Sequence, residues 1–299
     1  MKYTVIGIII ALWTVLAFMY RVGAKRGAPS TWMTVASSFT WFVSTVIFAQ
    51  YQGAHFLSAP HSVFSAGLIA GTGIFAAVPL FMGAVSRGNL AVSWTILTLG
   101  FAAIAAASLI YPGAPVKFAG MSGLAVAAAA IVLLGWDSTR GNANPASPFK
   151  RGWGLFMTLA FLTNAGAIYM MDVAKAWAAP LGGMDPPAHK FAYLGTETLV
   201  FFLCSAVFCV SRPASKKRLT AVAIGFVIGS IFSVSNYLCL VALGNCKVPA
   251  YVLFTATNGG STITVAFCSA VFTRERPGTL GWIGLGLGVA ALVLLGGAA

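Results

Sequence analysis

Apolar runs long enough to cross a lipid bilayer recur along the whole chain. An α-helix needs about 20 such residues to span the hydrocarbon core. The alternation of apolar and polar residues that a membrane β-barrel requires is absent from these runs. The pattern predicts an all-α polytopic membrane protein. Ten transmembrane helices are predicted, at residues 3–20, 31–50, 62–84, 89–111, 118–135, 152–174, 190–210, 219–243, 248–272 and 279–298.

The scarcity of charged residues excludes a soluble globular protein. Only 8% of the 299 residues are charged, whereas roughly 25% are charged in soluble domains. The net charge of +13 lies almost wholly in short loops, where it indicates membrane topology, so no nucleic-acid partner is expected. The cysteines form no CxxC pair and the histidines share no metal-ligand spacing, so neither a metal nor a cofactor is expected.

The basic loops also predict the orientation of the chain. They include "RVGAKRGAPS", "SRPASKKR" and the hydrophilic connector "WDSTRGNANPASPFKRG", and all of these lie on one side if there are ten spans. Loops rich in Lys and Arg face the cytoplasm. Both termini are therefore predicted outside the cytoplasm. The first span is expected to be a permanent helix, because "ALWTVLAFMYRVGAK" has no convincing signal-peptidase site.

The two halves of the chain share weak similarities that occur in the same order. The aligned stretches are "AKRGAP" (24–29) with "AKAWAAP" (174–180), "AVSWTILTLG" (91–100) with "AYVLFTATNG" (250–259), and "AGMSGLAVAAAAIVLLG" (119–135) with "LGWIGLGLGVAALVLLG" (280–296). An odd number of spans in each half places the halves in opposite orientations, a common plan for secondary transporters. The predicted organisation is a repeat at 1–135, a cytoplasmic linker at 136–151 and a second repeat at 152–299.

The last segment, "VFTRERPGTLGWIGLGLGVAALVLL", places Glu275 in a short loop before a glycine-rich final helix. With the ten spans and the repeat, it makes the chain resemble the drug/metabolite transporter superfamily in its ten-helix form with two EamA-like halves. The resemblance implies two inverted five-helix repeats and alternating-access transport through a cavity lined mainly by spans 1, 3, 4, 6, 8 and 9. The chain departs from the family in two places: "STWMTVASSFTWFV" lacks an early basic residue, and Ala114 stands where the second half has Glu275.

Glu197 is the one charged residue of the apolar run 191–210. A charge at bilayer depth costs about 3 kcal/mol on insertion scales, so it normally faces a cavity or a partner. Tyr193 and Lys190 share its helix face, and Thr196 is adjacent. Three interpretations remain open: Glu197 binds a cationic substrate, exchanges a proton, or makes a structural hydrogen bond to a neighbouring helix.

Other polar and aromatic residues inside the spans are further candidates. Asp172 could form an ion pair with Lys175 or exchange a proton, and Thr255, Asn258 and Thr262 share one face of span 9 with Gly259. Such residues also serve as packing contacts. The predicted substrate-binding residues are Trp13, Trp94, Asn164, Tyr169, Tyr193, Glu197, Ser233, Asn236, Tyr237, Thr255, Asn258 and Thr262, and the predicted proton-coupling residues are Glu197 and Asp172.

These features predict a secondary-active or facilitative transporter of the bacterial inner (plasma) membrane, a monomer or homodimer that exports a small organic metabolite. An amino acid or amphipathic cation is the preferred substrate, because no Arg lies within a span to bind a strongly anionic one. Proton coupling is possible in this scheme, and no ATP-binding motif is present. The spans contain no set of catalytic residues that would predict an intramembrane enzyme. The alternatives are a lipid flippase or scramblase and a structural membrane subunit without transport activity.

Overall fold

The computed structural model describes residues 2–54, 59–100, 118–140, 152–178, 187–211, 216–244, 246, 248, 250–273 and 277–298. Regular secondary structure in these ranges is entirely helical. The helices are α1 (Lys2–Lys25), α2 (Ser30–Tyr51), α3 (His61–Val85), α4 (Leu90–Thr98), α5 (Phe118–Arg140), α6 (Trp153–Ala178), α7 (Pro187–Val210), α8 (Arg218–Gly244), α9 (Ala250–Cys268) and α10 (Thr279–Ala298). A short π-helix, Ser269–Thr273, follows α9.

Each predicted span overlaps one of these helices. Seven of the described helices, α1 to α3 and α5 to α8, are long and apolar enough to cross a membrane, and α10 has a shorter apolar segment at Thr279–Leu295. This is consistent with a polytopic all-α membrane protein, as the apolar runs predict. The predicted span 89–111 begins with α4, but its remainder from residue 101 lies outside the described residues, as does most of the predicted linker.

Residue contacts divide the chain into two compact units. Unit 1 consists of Met1–Arg21, Leu80–Phe161 and Ser235–Ala299, and unit 2 consists of Val22–Pro79 and Leu162–Val234. Each unit takes segments from both predicted repeats. The units are therefore not the repeats themselves, and the predicted repeat boundaries stay a prediction.

In unit 1, α5 and α10 pack along each other in opposite directions. A Cβ atom on Gly123 would lie 2.9 Å from Cγ of Leu295, and one on Gly284 would lie 2.8 Å from Cγ of Leu134. Only glycine therefore lets the helices approach this closely. In the ungapped alignment of 119–135 with 280–296, Gly123 aligns with Gly284 and Leu134 with Leu295. The aligned residues thus make the same contact twice.

Asp137, at the C-terminal end of α5, caps the N-terminus of α10. Its Oδ2 accepts a hydrogen bond of 2.9 Å from the backbone N–H of Gly278. A carboxylate at this end of a helix satisfies a free N–H group and interacts favourably with the helix dipole. A Cβ on Gly278 or Gly281 would collide with this carboxylate, so both glycines leave room for the cap.

Removing this cap is expected to destabilise the protein. Replacing Asp137 by alanine should lower the free energy of unfolding by about 1 kcal/mol, the typical value of an N-cap side chain. Asp137→Asn should cost less, because an amide oxygen can still accept the Gly278 hydrogen bond. Unfolding in sodium dodecyl sulfate, followed by circular dichroism, measures both variants. An alanine variant as stable as the original protein would contradict the assigned capping role.

In unit 2, two pairs of helices cross closely at GxxxG sequences. Gly67 and Gly71 bring α3 against α7, while Gly225 and Gly229 bring α8 against α2. A Cβ on Gly67 would lie 2.7 Å from the carbonyl oxygen of Tyr193. Added Cβ atoms at the other three glycines would collide with backbone carbonyl oxygens of the facing helix. Glycine at this spacing permits close backbone approach in membrane helices.

The two crossings use the same pattern of contacts. The contacted residues are Tyr193, Thr196, Glu197 and Val200 on α7, and Met33, Ala36, Ser37 and Thr40 on α2. In each set the first and third residues offer a carbonyl oxygen to the glycines, and the second and fourth offer a Cβ atom. The residue numbers of the two sets differ by the same amount at every position. This constant shift makes Glu197 on α7 the counterpart of Ser37 on α2.

Candidate functional site

Helices α2 and α7 meet at an aromatic pair in unit 2. The ring centroids of Trp41 and Phe201 are 6.3 Å apart in an edge-to-face arrangement. Trp41 also stacks on Phe232 of α8, with centroids 5.1 Å apart and ring planes inclined by 11°. The shift that relates Ser37 to Glu197 relates Trp41 to Phe201. Trp41 and Phe201 are therefore corresponding residues that contact each other, and they mark the centre of the α2/α7 interface.

Buried hydroxyl groups flank the aromatic pair at corresponding positions. Ser38 corresponds to Thr198, and both are fully buried, while Thr45 corresponds to Ser205. Each hydroxyl donates a hydrogen bond to a carbonyl oxygen of its own helix. The distances are 3.0 Å from Ser38 to Val35, 2.8 Å from Thr198 to Leu194, 2.9 Å from Thr45 to Trp41, and 2.6 Å from Ser205 to Phe201. The two helices thus offer similar polar groups to one interface.

Glu197 breaks this similarity. It lies near the middle of α7, and only 6% of its surface is exposed. Its backbone carbonyl faces Gly71, and Phe201 follows one turn later on the same helix face. Among the residues that the structure describes, the Glu197 carboxyl group has no hydrogen-bond or ion-pair partner. Burying a carboxyl group without a partner is costly, which is why such groups in membrane helices usually serve a function.

The other candidates in unit 2 have different surroundings. Tyr193 is buried in an apolar cluster with residues of α3 and α6, such as Ala70 and Ala174. Ser233 is buried and donates a 2.7 Å hydrogen bond to the Gly229 carbonyl oxygen. Asn164 and Tyr169 are half-buried on α6. The side chains of Asp172 and Lys175 lie outside the described residues, so their predicted ion pair stays a prediction.

In unit 1, the predicted polar face of α9 packs against α4. Thr262 and Thr98 share a hydrogen bond of 3.2 Å, and Nε1 of Trp94 donates to Oγ of Ser261 at 3.3 Å. Thr262 and Trp94 therefore take part in helix packing. Asn258 is buried and donates to a carbonyl oxygen of its own helix at 2.8 Å. The side chain of Thr255 lies outside the described residues.

Three further candidates in unit 1 lie on α1 and α8. Trp13 packs against a cluster that includes Ile9 and Leu253, while Asn236 and Tyr237 are half-buried. Helices α1 and α9 also make a polar contact, in which the hydroxyl oxygens of Thr14 and Thr264 lie 2.5 Å apart. In the described part of the chain, His, Cys, Asp and Glu side chains nowhere gather in threes as metal ligands do.

Sequence reasoning overlooked nine hydroxyl-bearing residues whose side chains make hydrogen bonds within or between the helices. They are Thr14, Ser37, Ser38, Thr45, Thr98, Thr198, Ser205, Ser261 and Thr264. A signal was present in α2, where Thr34, Ser38, Trp41 and Thr45 follow the spacing of one helix face. Single hydroxyls scarcely lower the mean hydropathy of a span, so this face was not noticed.

No protein-family model and no curated protein matches the chain. Among the solved structures that match it, one described only as "Crystal structure of protein" does so with a TM-score of 0.59 over 98% of this chain and 96% of that chain. The two sequences are 16% identical. The match therefore concerns the fold alone: a solved protein of almost the same length has a similar arrangement of helices.

Proposed function

We propose that this protein is a secondary-active or facilitative transporter that moves a small organic molecule across the membrane by alternating access. In this proposal it belongs with the EamA-like members of the drug/metabolite transporter superfamily, which its sequence resembles. The single observation that carries the proposal is the Glu197 carboxyl group, buried in the middle of α7 without a partner among the described residues. A residue of this kind in a membrane helix is typical of a substrate or ion pathway.

The structural alternative for Glu197 requires a hydrogen-bond acceptor or donor on a neighbouring helix. No described residue of α2, α3 or α8 supplies one. The neighbouring hydroxyl of Thr198 donates instead to the carbonyl oxygen of Leu194. A ligand that binds there would give the carboxyl group the partner that the described residues do not.

The matching helix contacts support an inverted-repeat arrangement. In unit 2, the glycines of α3 face α7 as those of α8 face α2, and in unit 1 the glycines of α5 and α10 face each other's leucines. The α5 and α10 contacts run antiparallel, and so do the contacts of Trp41 with Phe201 and of Phe39 with Phe202. Transporters built from inverted repeats bind substrate near the bilayer midplane, where the repeats meet.

Contacts at two of the basic segments support their placement on one side of the membrane. Nζ of Lys217, at the start of α8, donates a 2.6 Å hydrogen bond to the carbonyl oxygen of Arg26, which follows α1. The guanidinium of Arg218 lies 4.7 Å from the ring centroid of Trp32 on α2. Two loops that the charge pattern assigns to the cytoplasmic side thus touch each other. Export through a bacterial inner membrane, with both termini outside the cytoplasm, is the corresponding proposal.

Flux through purified protein in liposomes tests the proposed function. Amino acids and organic cations are screened with and without an imposed pH gradient, for the original protein and for Glu197→Gln. Loss of the carboxylate should lower the flux of the accepted solute by about tenfold or more, because a charge-assisted contact contributes at least about 1.4 kcal/mol. A lower flux whose pH dependence also disappears would identify proton coupling.

Ser205→Ala provides the matched control. Ser205 is buried on the same helix, and its hydroxyl donates only to the Phe201 carbonyl oxygen. This variant should transport at close to the original rate. Equal flux in Glu197→Gln and the original protein would contradict the proposal, and so would movement of fluorescent lipids between leaflets without any solute flux. The latter result would identify a lipid scramblase.

A further inference from the structure

The hydroxyl groups at the α2/α7 interface each use their proton in a hydrogen bond within their own helix. Ser38, Thr45, Thr198 and Ser205 each donate to a carbonyl oxygen of their own helix. A hydroxyl group has one proton and two lone pairs. A hydroxyl such as that of Thr45 can therefore still accept a hydrogen bond from a ligand, and an ionised carboxylate adds further acceptors.

The register of the two helices places Glu197 level with Thr45. Trp41 contacts Phe201, and the helices run in opposite directions. One turn before Phe201 on α7 is Glu197, and one turn after Trp41 on α2 is Thr45. Glu197 and Thr45 thus occupy one level along the two helices, and the aromatic residues occupy the next.

We propose that this level binds the primary ammonium group of an organic amine, with Glu197 as the counter-ion and Thr45 as a second acceptor. The inference rests on the proposed transport function and specifies its substrate class. A primary ammonium group has N–H donors and no acceptor, which complements a site whose carboxylate and hydroxyl groups accept.

The same chemistry discriminates against two related ligands. An amino acid would bring a carboxylate close to the carboxylate of Glu197, and the two like charges would repel each other. A quaternary ammonium has no N–H to donate, so the carboxylate and hydroxyl acceptors would stay unsatisfied. Like charges and unsatisfied acceptors both lower affinity. The amine head group is thereby preferred over both.

Binding of three compounds with the same phenyl ring tests the inference. The probes are 2-phenylethylamine, phenylalanine and phenethyltrimethylammonium, titrated into the detergent-purified full-length protein by isothermal calorimetry. The dissociation constant of the amine should be at least about tenfold lower than those of the other two, the equivalent of about 1.4 kcal/mol. Glu197→Gln should remove this preference for the amine.

Thr45→Val tests the second acceptor, and Thr72→Val is its control. Both threonines donate to a carbonyl oxygen of their own helix at 2.9 Å, but Thr72 is exposed on α3. The Thr45 variant should bind the amine several-fold more weakly than the Thr72 variant. Equal affinities in the two variants, or equal affinities for the three compounds, would overturn the inference.

The flux experiment separates this inference from the proposed function. If a different solute shows flux that depends on Glu197 while the amine does not bind, the transport proposal stands and the ammonium site is wrong. If the amine binds through Glu197 and Thr45 but no solute is transported, the ammonium site stands and the transport proposal is wrong.

Discussion

Moving the carboxyl group from Glu197 to Ser37 is expected to restore transport that Glu197→Ser abolishes. Ser37 is the α2 counterpart of Glu197, because its carbonyl oxygen faces Gly229 as that of Glu197 faces Gly71. It is also 4% exposed, close to the burial of Glu197. A glutamate at position 37 should lie level with Ser205, as Glu197 lies level with Thr45. The exchanged protein therefore regains a buried carboxyl group beside a hydroxyl acceptor.

The experiment compares three variants in liposomes with the solute found in the flux screen. Glu197→Ser should reduce flux about tenfold or more, the loss expected with its carboxylate. Adding Ser37→Glu should recover a substantial part of it. Adding Ser38→Glu instead places the carboxyl group one residue further along, at the counterpart of Thr198, and should recover none. Equal flux in the two double variants would show that Ser37 and Glu197 are not equivalent.

Replacing Gly71 by leucine is expected to separate α3 from α7 and to destabilise the protein severely. Even a Cβ at this position would collide with the carbonyl oxygen of Glu197, and it would lie 3.0 Å from Cβ of Val200. A backbone carbonyl in a helix cannot turn aside as a side chain can. The cost should be on the order of 3 kcal/mol or more, at the upper end of the range for overpacked cores. The corresponding change in α8, Gly229→Leu, should cost a similar amount.

Gly166 supplies the control for these variants. It lies in α6, in the same unit, and an added Cβ there would meet nothing within 4 Å. Gly166→Leu should leave the protein as stable as before, or slightly more stable, because leucine has the higher helix propensity. Unfolding in sodium dodecyl sulfate ranks the three variants. If Gly71→Leu and Gly166→Leu unfold at the same detergent fraction, the close crossing of α3 and α7 is wrong.

Hydropathy predicted the helices well because membrane helices satisfy their own backbone hydrogen bonds. The bounds of α2, Ser30–Tyr51, differ by one residue at each end from the predicted 31–50. Hydropathy does not predict which helices pack against each other. GxxxG sequences in α3 and α8 indicate close contact with some helix, but whether that helix is α7 or α2 depends on the tertiary fold.

The candidate site was predictable in part. Glu197 stands out in the sequence because a carboxyl group in an apolar run is rare. Its relation to Ser37 does not stand out, since a serine and a glutamate share no sequence similarity and span 2 lacks an aligned counterpart in the repeat comparison. The polar face of α9 was recognised, but sequence alone does not distinguish lining a cavity from bonding to α4, which is what Thr262 does.

Helix α2 has an unusual share of hydroxyl groups bonded to its own backbone. Thr34, Ser37, Ser38, Thr40 and Thr45 donate to carbonyl oxygens three or four residues earlier. A carbonyl that accepts from a hydroxyl as well as a backbone N–H can tilt without losing all its bonding, and such helices often bend. Helix α2 is therefore expected to bend more readily than a helix of the same length without such hydroxyl groups.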